Sequence, residues 1–334
     1  MRSAHRAVPF VSVVIPTAGK RPAALLEAIG SVARQDIDHA LEIVVVDDSN
    51  DGLDVDALTS AAAGIPLIIT PPMVDIGQRS AGVSASQGHW IAFLDDDDLW
   101  EPSKLREQVG LAAEIEARGR LALVSTRLQH SFADSDRIVR GIPTRIIRPG
   151  DDIGTYLFYK REPSVHRSSL YTSTLLASRS LCTEVEWKRL PRHQDWDWLL
   201  RVAGRPDVEV VHHPAVLTTI HVGSVGSISA SPDWESSMRW AATDARPFLS
   251  RKVYADFLCA QVLRYALNAR SVRGTKTVLA EMLRNRRVPS MRGIVVGLAG
   301  LMPRKGIQKL MSMATRGSRA RATGDHLNNA DQPS

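Results

Sequence analysis

Four consecutive carboxylates, Asp95 to Asp98, follow directly on the apolar run Trp90-Ile91-Ala92-Phe93-Leu94. Like charges this close repel, so a strand end keeps them together only where solvent or a bound cation compensates. Carboxylate oxygens suit hard ions such as Mg²⁺ or Mn²⁺, which take one or two protein carboxylates and complete their shell with water and substrate phosphate. The alternative is a solvated acidic turn leading into a helix expected over Pro102 to Ala117, and Asp98 is placed on that helix side. A second centre is Arg192-His193-Gln194-Asp195-Trp196-Asp197-Trp198. A carboxylate among aromatic side chains is partly desolvated, which raises its pKa towards the working pH and suits it as a general base. The same residues could instead open an amphipathic helix, with Asp195 at the positive end of its dipole.

The elements that must position these groups are legible from Phe10 onwards. Short β-branched runs at Phe10–Ile15, Glu42–Val46, Pro66–Thr70, Trp90–Leu94 and Leu121–Ser125 alternate with helical spacing at Leu25, Ile29 and Val32 and at Leu105, Val109 and Ala112. Pro22 sits where a first helical turn tolerates proline. This βαβ punctuation predicts an α/β fold with a mostly parallel, Rossmann-like, doubly wound sheet flanked by helices. Such sheets bind ligands outside the carboxyl ends of their strands. Pro16-Thr17, Asp47-Asp48 and Asp95–Asp98 each end a strand, so three polar ends converge on one crevice.

Five motifs in order resemble those of the family 2 glycosyltransferases of GT-A fold. They are Val11-Ser-Val-Val-Ile-Pro-Thr17, Glu42-Ile-Val-Val-Val-Asp-Asp-Ser49, Gln78-Arg-Ser-Ala-Gly82, Phe93-Leu-Asp-Asp-Asp-Asp-Leu-Trp100 and Arg192-His-Gln-Asp-Trp-Asp-Trp-Leu-Leu-Arg201. The resemblance runs over roughly residues 10 to 230 and implies an inverting, metal-dependent transfer of a sugar from a nucleotide-diphospho-sugar to a glycan or lipid-linked acceptor. It implies that Pro16 and Thr17 line the nucleotide pocket, that Asp47 accepts a hydrogen bond from the base, and that Asp48, Arg79 and Asp96 contribute to the donor site. It further implies Asp95 and Asp97 on Mg²⁺ or Mn²⁺, with His221 loosely matching a histidine that many GT-A enzymes place on the metal or diphosphate. Asp195 takes the role of base, leaving Asp197 structural and His193 a neighbour. The family commonly has Arg-Asn where this chain has Arg79-Ser80; serine keeps a donor for a phosphate or ribose oxygen. Two other classes stay open on the residues themselves. A sugar-phosphate nucleotidyltransferase shares fold and metal but lacks its glycine-rich signature here, since Gly19 stands alone, and a non-catalytic sugar-nucleotide or glycan-binding module would keep the pocket without turnover.

The rest of the chain divides by composition. Residues 8–230 form the expected catalytic domain, with a nucleotide-sugar half at 8–126 and an acceptor and base half at 127–230. Tyr156 to Leu176, including Tyr159, Arg161, His166, Tyr171, Ser173 and Thr174, is read either as shaping the acceptor side or as packing, and the glycine-bearing stretch Val222 to Ser229 either as a loop suited to closing over phosphates or as a plain surface loop. A helical basic region is expected over 231–314 and a disordered polar tail over 315–334. Between Ser271 and Arg321 twelve Lys or Arg face the single Glu281, so the net +6 of the chain is concentrated there. The apolar segment Met291–Met302 lies inside it, too short to span a bilayer and flanked by cations. It reads either as a surface for an anionic leaflet or as a core helix with a solvated basic face. Nucleic acid is disfavoured, because the segment has no aromatic residues for stacking. The two cysteines, Cys182 and Cys259, have no metal-type spacing and read as free thiols of a reducing compartment. Pro9 and Pro16 interrupt the N-terminal run, which is needed as a strand and is not read as a signal peptide. Together these readings place the protein in the cytoplasm, and the anionic-leaflet reading of Met291–Met302 would set it peripherally on the inner face of the membrane.

Overall fold

The structure is a computed structural model, describing residues 10–74, 76–132, 137–159, 168–223 and 232–301. Arg161, His166, most of the glycine-bearing loop after Val222 and the tail from residue 302 lie outside the described residues.

The five runs read as strands are strands. β1 (Val11–Thr17), β2 (Leu41–Asp47), β3 (Leu67–Thr70) and β4 (Trp90–Phe93) pair in parallel in the order β3-β2-β1-β4. They are joined by α1 (Pro22–Ala33), α2 (Val55–Ala61) and α3 (Gln78–Ala85). Every β1 side chain is buried, as expected of a strand covered on both faces. Val11, Val13 and Ile15 pack with α1 on one side, while Val14 joins the core on the other.

Beyond β4 the sheet becomes mixed. A two-residue strand β5 (Leu99–Trp100) follows the acidic run, and α4 (Lys104–Glu116) leads into β6 (Leu121–Phe132), longer than the run Leu121–Ser125 suggested. β7 (Ile138–Ile142) returns antiparallel along β6. After α5 (Ile153–Phe158), β8 (Leu176–Ser178) inserts antiparallel between β4 and β6. α6 (Arg179–Glu184) and α7 (Gln194–Ala203) precede β9 (Val208–Val222), which runs parallel to β6 and pairs its far end with β5. This last pairing folds the sheet back so that β9 meets the turn carrying Asp95–Asp98.

The C-terminal helices close the second face. α8 (Trp234–Trp240) and a helix running from α9 (Arg251–Phe257) through a π-helical stretch (Leu258–Leu263) to α10 (Arg264–Asn268) bury Trp240, Tyr254 and Phe257 in the cluster that contains Phe93, Trp187 and Trp198. Trp187 and Trp198 stack at 4.6 Å beneath the α7 start. α11 (Val272–Asn285) and α12 (Met291–Leu298) pack on the outside of that long helix. Among the described residues no helix is long and apolar enough to cross a membrane. Both cysteines are buried and free.

Candidate active site

The strand ends expected to converge do so. The hydroxyl of Thr17, at the end of β1, donates to Asp96 at 2.6 Å, and the Asp48 N–H donates to the Thr17 carbonyl at 2.9 Å. Pro16 lies one residue earlier, opposite Val46 of β2. Asp47 accepts from the Ser49 N–H at 2.9 Å, and Asp48 accepts from the Gln78 side chain at 2.6 Å. Gly19 is left-handed at φ 72°, and a Cβ there would lie 2.5 Å from the Ser49 Cβ. Only glycine lets the β1 and β2 loops touch this closely.

Arg79 reaches the crevice because α3 lies directly on the sheet. At Gly82 an added Cβ would meet Val14 at 2.3 Å and Val46 at 3.0 Å. The helix start is also tied down: Gly77 N–H donates to the Trp187 carbonyl at 2.8 Å, and the Trp187 N–H donates to the Ser80 hydroxyl at 2.6 Å. Ser80 is therefore buried on protein backbone. Its hydroxyl accepts in that contact, so the Ser80 proton itself is not spent on it.

The four aspartates divide into two kinds. Asp95 and Asp97 keep 38% and 15% of their side chains exposed, whereas Asp96 and Asp98 turn inward. Arg79 donates to Asp95 at 2.5 Å, and Arg21 bridges Asp96, at 2.5 Å, and Asp97. Asp96 is thus held by Thr17 and Arg21; burial raises its pKa, and these two contacts oppose the rise. Asp98, placed by sequence on the side of the following helix, is instead a buried cross-link. It accepts from the Ser173 hydroxyl at 2.5 Å and from the His221 N–H at 3.2 Å. Ser173 in turn accepts from the Asp95 N–H at 3.1 Å. The correction follows from β9 and the Thr172–Thr174 turn arriving from far along the chain. Burial first, and the nearby Asp95 charge second, push the Asp98 carboxyl well above the usual range.

His221 comes into the same turn, its Nδ1 2.6 Å from the Asp97 carbonyl oxygen. A carbonyl only accepts, so Nδ1 carries a proton and Nε2 is the nitrogen left for a metal, the pattern by which metal-binding histidines are oriented. Among the described residues no three His, Cys, Asp or Glu side chains form a preformed cage. The donor chemistry of Asp95, Asp97 and His221 nonetheless suits a hard divalent ion whose shell is completed by water and phosphate.

Asp195 stands in the first turn of α7, which begins at His193 in the left-handed region, φ 62°. Burial raises the Asp195 pKa; Arg79 opposes this, and Asp95 adds to it. Arg79 feels both acids in return: burial weakens its charge, but Asp95 and Asp195 outweigh it and its pKa is raised. Its guanidinium also lies 5.0 Å over the Trp187 ring. One arginine thus couples the acidic turn to the second centre. Tyr171 sits in the same field, pushed up to about 12 by burial and then by Asp98 and Asp195. Asp197 is buried on Arg201 at 2.8 Å and the Trp240 indole at 3.2 Å. His193 stacks on Trp196 and contacts the Ser237 hydroxyl at 2.8 Å; burial, then Arg192, depress it to about 3, so it is neutral.

Two participants escaped the sequence reading. Arg21, just before Pro22, carried a weak signal as the cation nearest the β1 end. Lys104 carried none: it is fully buried, held down in pKa by that burial, 3.7 Å over the Trp100 ring, whose indole donates to the Ser173 carbonyl at 2.7 Å.

A sheet of this order, with loops from β1, β2, β4 and β9 and the α7 start gathered at one edge, defines the GT-A class of transferase. Residues 12–161 match the family model of glycosyl transferase family 2. The chain is 26% identical over 275 residues to the amylovoran biosynthesis glycosyltransferase AmsB of Erwinia amylovora, covering 79% of this chain and 87% of that one. It is 34% identical over 112 residues to the succinoglycan biosynthesis protein ExoO of Rhizobium meliloti, covering 30% of this chain and 29% of ExoO. Among solved structures, S. aureus TarS 1-349 in complex with UDP-GlcNAc superposes with a TM-score of 0.59 at 14% identity, over 83% of this chain and 81% of that one. The family model over residues 12–161 and these relatives support a glycosyltransferase of the family 2 type.

Proposed function

We propose that the enzyme moves a sugar, with inversion, from a nucleotide-diphospho-sugar to an acceptor hydroxyl during assembly of a cell-surface polysaccharide or glycolipid. The observation that carries this is the coupling of Asp95 and Asp195 through Arg79, which joins a donor end to a proton acceptor. The names of AmsB and ExoO, both of polysaccharide biosynthesis, support the pathway class, and the UDP-GlcNAc complex of TarS supports the donor class.

On this reading Pro16, Thr17, Asp47 and Asp48 line the nucleotide end, and Arg79 supplies positive charge for the diphosphate, with Asp96 fixing Arg21 beside it. Asp95, Asp97 and His221 would hold Mg²⁺ or Mn²⁺. Such an ion, when bound, supplies Lewis-acid neutralisation of the departing nucleoside diphosphate. Asp195 takes the proton from the acceptor hydroxyl, whose oxygen forms the new bond to the anomeric carbon as the bond to diphosphate breaks on the opposite face. One displacement with one base inverts the anomeric configuration. The partly buried setting of Asp195 raises its pKa and suits it as a base, and Arg79 opposes that rise. Residues 8–126 would serve the donor and 127–230 the acceptor, with the helical region 231–314 placing the enzyme peripherally on the cytoplasmic membrane face.

The test is product analysis. Incubation with a panel of UDP- and other nucleotide-sugars, Mn²⁺ and lipid-linked or glycan acceptors should release nucleoside diphosphate in step with acceptor, and NMR of the product should show the anomer opposite to the donor's. Retention of configuration would contradict the assignment of a single base.

A further inference from the structure

The α11–α12 corner leaves its large apolar side chains in water. Leu283 is 78% exposed, Val288 73% and Met291 76%, all within nine residues, and Val295 and Leu298 continue from Met291 along one side of α12. The exposure is not that of a loose loop. Asn285 is buried and donates to the Arg251 carbonyl at 2.8 Å, the Ser290 N–H and hydroxyl both bond the fully buried Asp256, and Lys252 donates to the Val288 carbonyl at 2.9 Å. Arg286 holds the turn in the left-handed region, φ 52°. A corner pinned from beneath and apolar on top is a built surface, because folding alone would bury or replace such side chains.

The occupant follows from charge. Residues 283–292 contain four arginines and no acid, and Arg284, Arg286 and Arg287 are exposed among the apolar trio. Of the two nearby carboxylates, Asp256 is buried beneath the corner on Ser290, and Glu281 accepts from Arg284 at 3.2 Å and from the Tyr254 hydroxyl at 3.1 Å. A second copy docking by a two-fold axis would set arginines against arginines, which is unfavourable. A nucleic acid would use the cations but offer nothing to the apolar side chains, and residues 272–301 have no aromatic ring on which a base could stack. Apolar side chains ringed by cations match the interface of an anionic bilayer, where headgroup charge meets acyl chain.

We infer that this corner, with Leu283, Val288 and Met291 as its inserting residues, docks the enzyme on an anionic lipid surface. The inference rests on the peripheral-membrane reading given above and assigns the surface that carries it. Full-length protein should sediment with vesicles of phosphatidylcholine mixed with phosphatidylglycerol, not with phosphatidylcholine alone, and should be released as salt shortens the Debye length. Replacing Leu283, Val288 and Met291 together by Ser should lower partitioning about tenfold or more, with thermal midpoint and nucleoside diphosphate release in solution unchanged. A second variant with Arg284, Arg286 and Arg287 replaced by Gln should lose the salt-sensitive part. A Ser variant that pellets as wild type overturns the corner while leaving the membrane reading standing. Wild-type protein that ignores the anionic vesicles overturns both. A mass in solution that doubles with concentration, and no longer does so in the Ser variant, overturns the lipid occupant in favour of a second copy.

Discussion

Replacement of Asp98 by Ala should damage the fold of the site more than replacement of the more exposed Asp95 or Asp97. The side chain is buried, only 3% exposed, and two donors end on it, the Ser173 hydroxyl at 2.5 Å and the His221 N–H at 3.2 Å. Each buried donor left without an acceptor costs about 1–3 kcal/mol. Part of this is offset, because removing a carboxyl from beside Asp95 and Asp97 relieves like-charge repulsion. A net loss of about 2–4 kcal/mol remains, a large share of the roughly 5–15 kcal/mol that holds a typical protein folded. For a chain of this size that lowers the thermal midpoint by about 3–6 °C. Asp97→Ala provides the contrast, since Asp97 lies nearer the surface; it should keep the midpoint within about 2 °C and lose Mn²⁺-dependent UDP affinity in isothermal titration. Differential scanning calorimetry of both variants decides between cross-link and ligand. A midpoint for Asp98→Ala within about a degree of wild type would refute the reasoning.

Three further outcomes follow from the same geometry. Gly82→Ala forces a methyl against Val14 and Val46, so a loss of about 1–3 kcal/mol in urea unfolding is expected, along with weaker donor binding as α3 and Arg79 are displaced. In the proposed role Asp195 acts as a base only when ionised, so activity should be present above its pKa and lost as pH falls through it; since burial raises that pKa and Arg79 opposes the rise, Arg79→Gln should move the acid limb of kcat/KM upward, while Arg79→Lys should move it less. An unmoved limb in Arg79→Gln would separate Arg79 from the base. His193→Gln, by contrast, should leave the limb in place, because the imidazole is already neutral at working pH.

The parallel half of the sheet was legible because it is built from local signals. β1 to β4 are short β-branched runs separated by helix-period segments, and their polar ends are adjacent in sequence to the strands that carry them. What escaped was set by pairing over long separations. β8 enters antiparallel between β4 and β6, and β9 reaches β5 only after more than a hundred intervening residues; nothing in the run Leu99-Trp100 announces either partner. Asp98 was misplaced for the same reason, since its partners Ser173 and His221 lie 75 and 123 residues away. That the Ser80 hydroxyl also accepts from the Trp187 backbone was invisible for the same reason, since the two lie 107 residues apart. Motif residues Thr17, Arg79, Asp95 and Asp195, by contrast, were found as a set and are drawn together at one sheet edge. At the C-terminus the apolar run Met291–Met302 and its cationic flanks were visible, but which side chains face water depended on how α12 rests on the helix beneath it.

If the acidic turn binds the donor while Asp195 takes the proton, Asp195→Asn separates the two functions. Turnover and donor affinity should be measured on the same preparation, by nucleoside diphosphate release with acceptor and by titration of the donor with Mn²⁺. The expected result is turnover lowered by roughly 10²–10⁴-fold with donor affinity and thermal midpoint close to wild type. Turnover within a few-fold of wild type, or donor binding lost in parallel with it, would contradict the assignment.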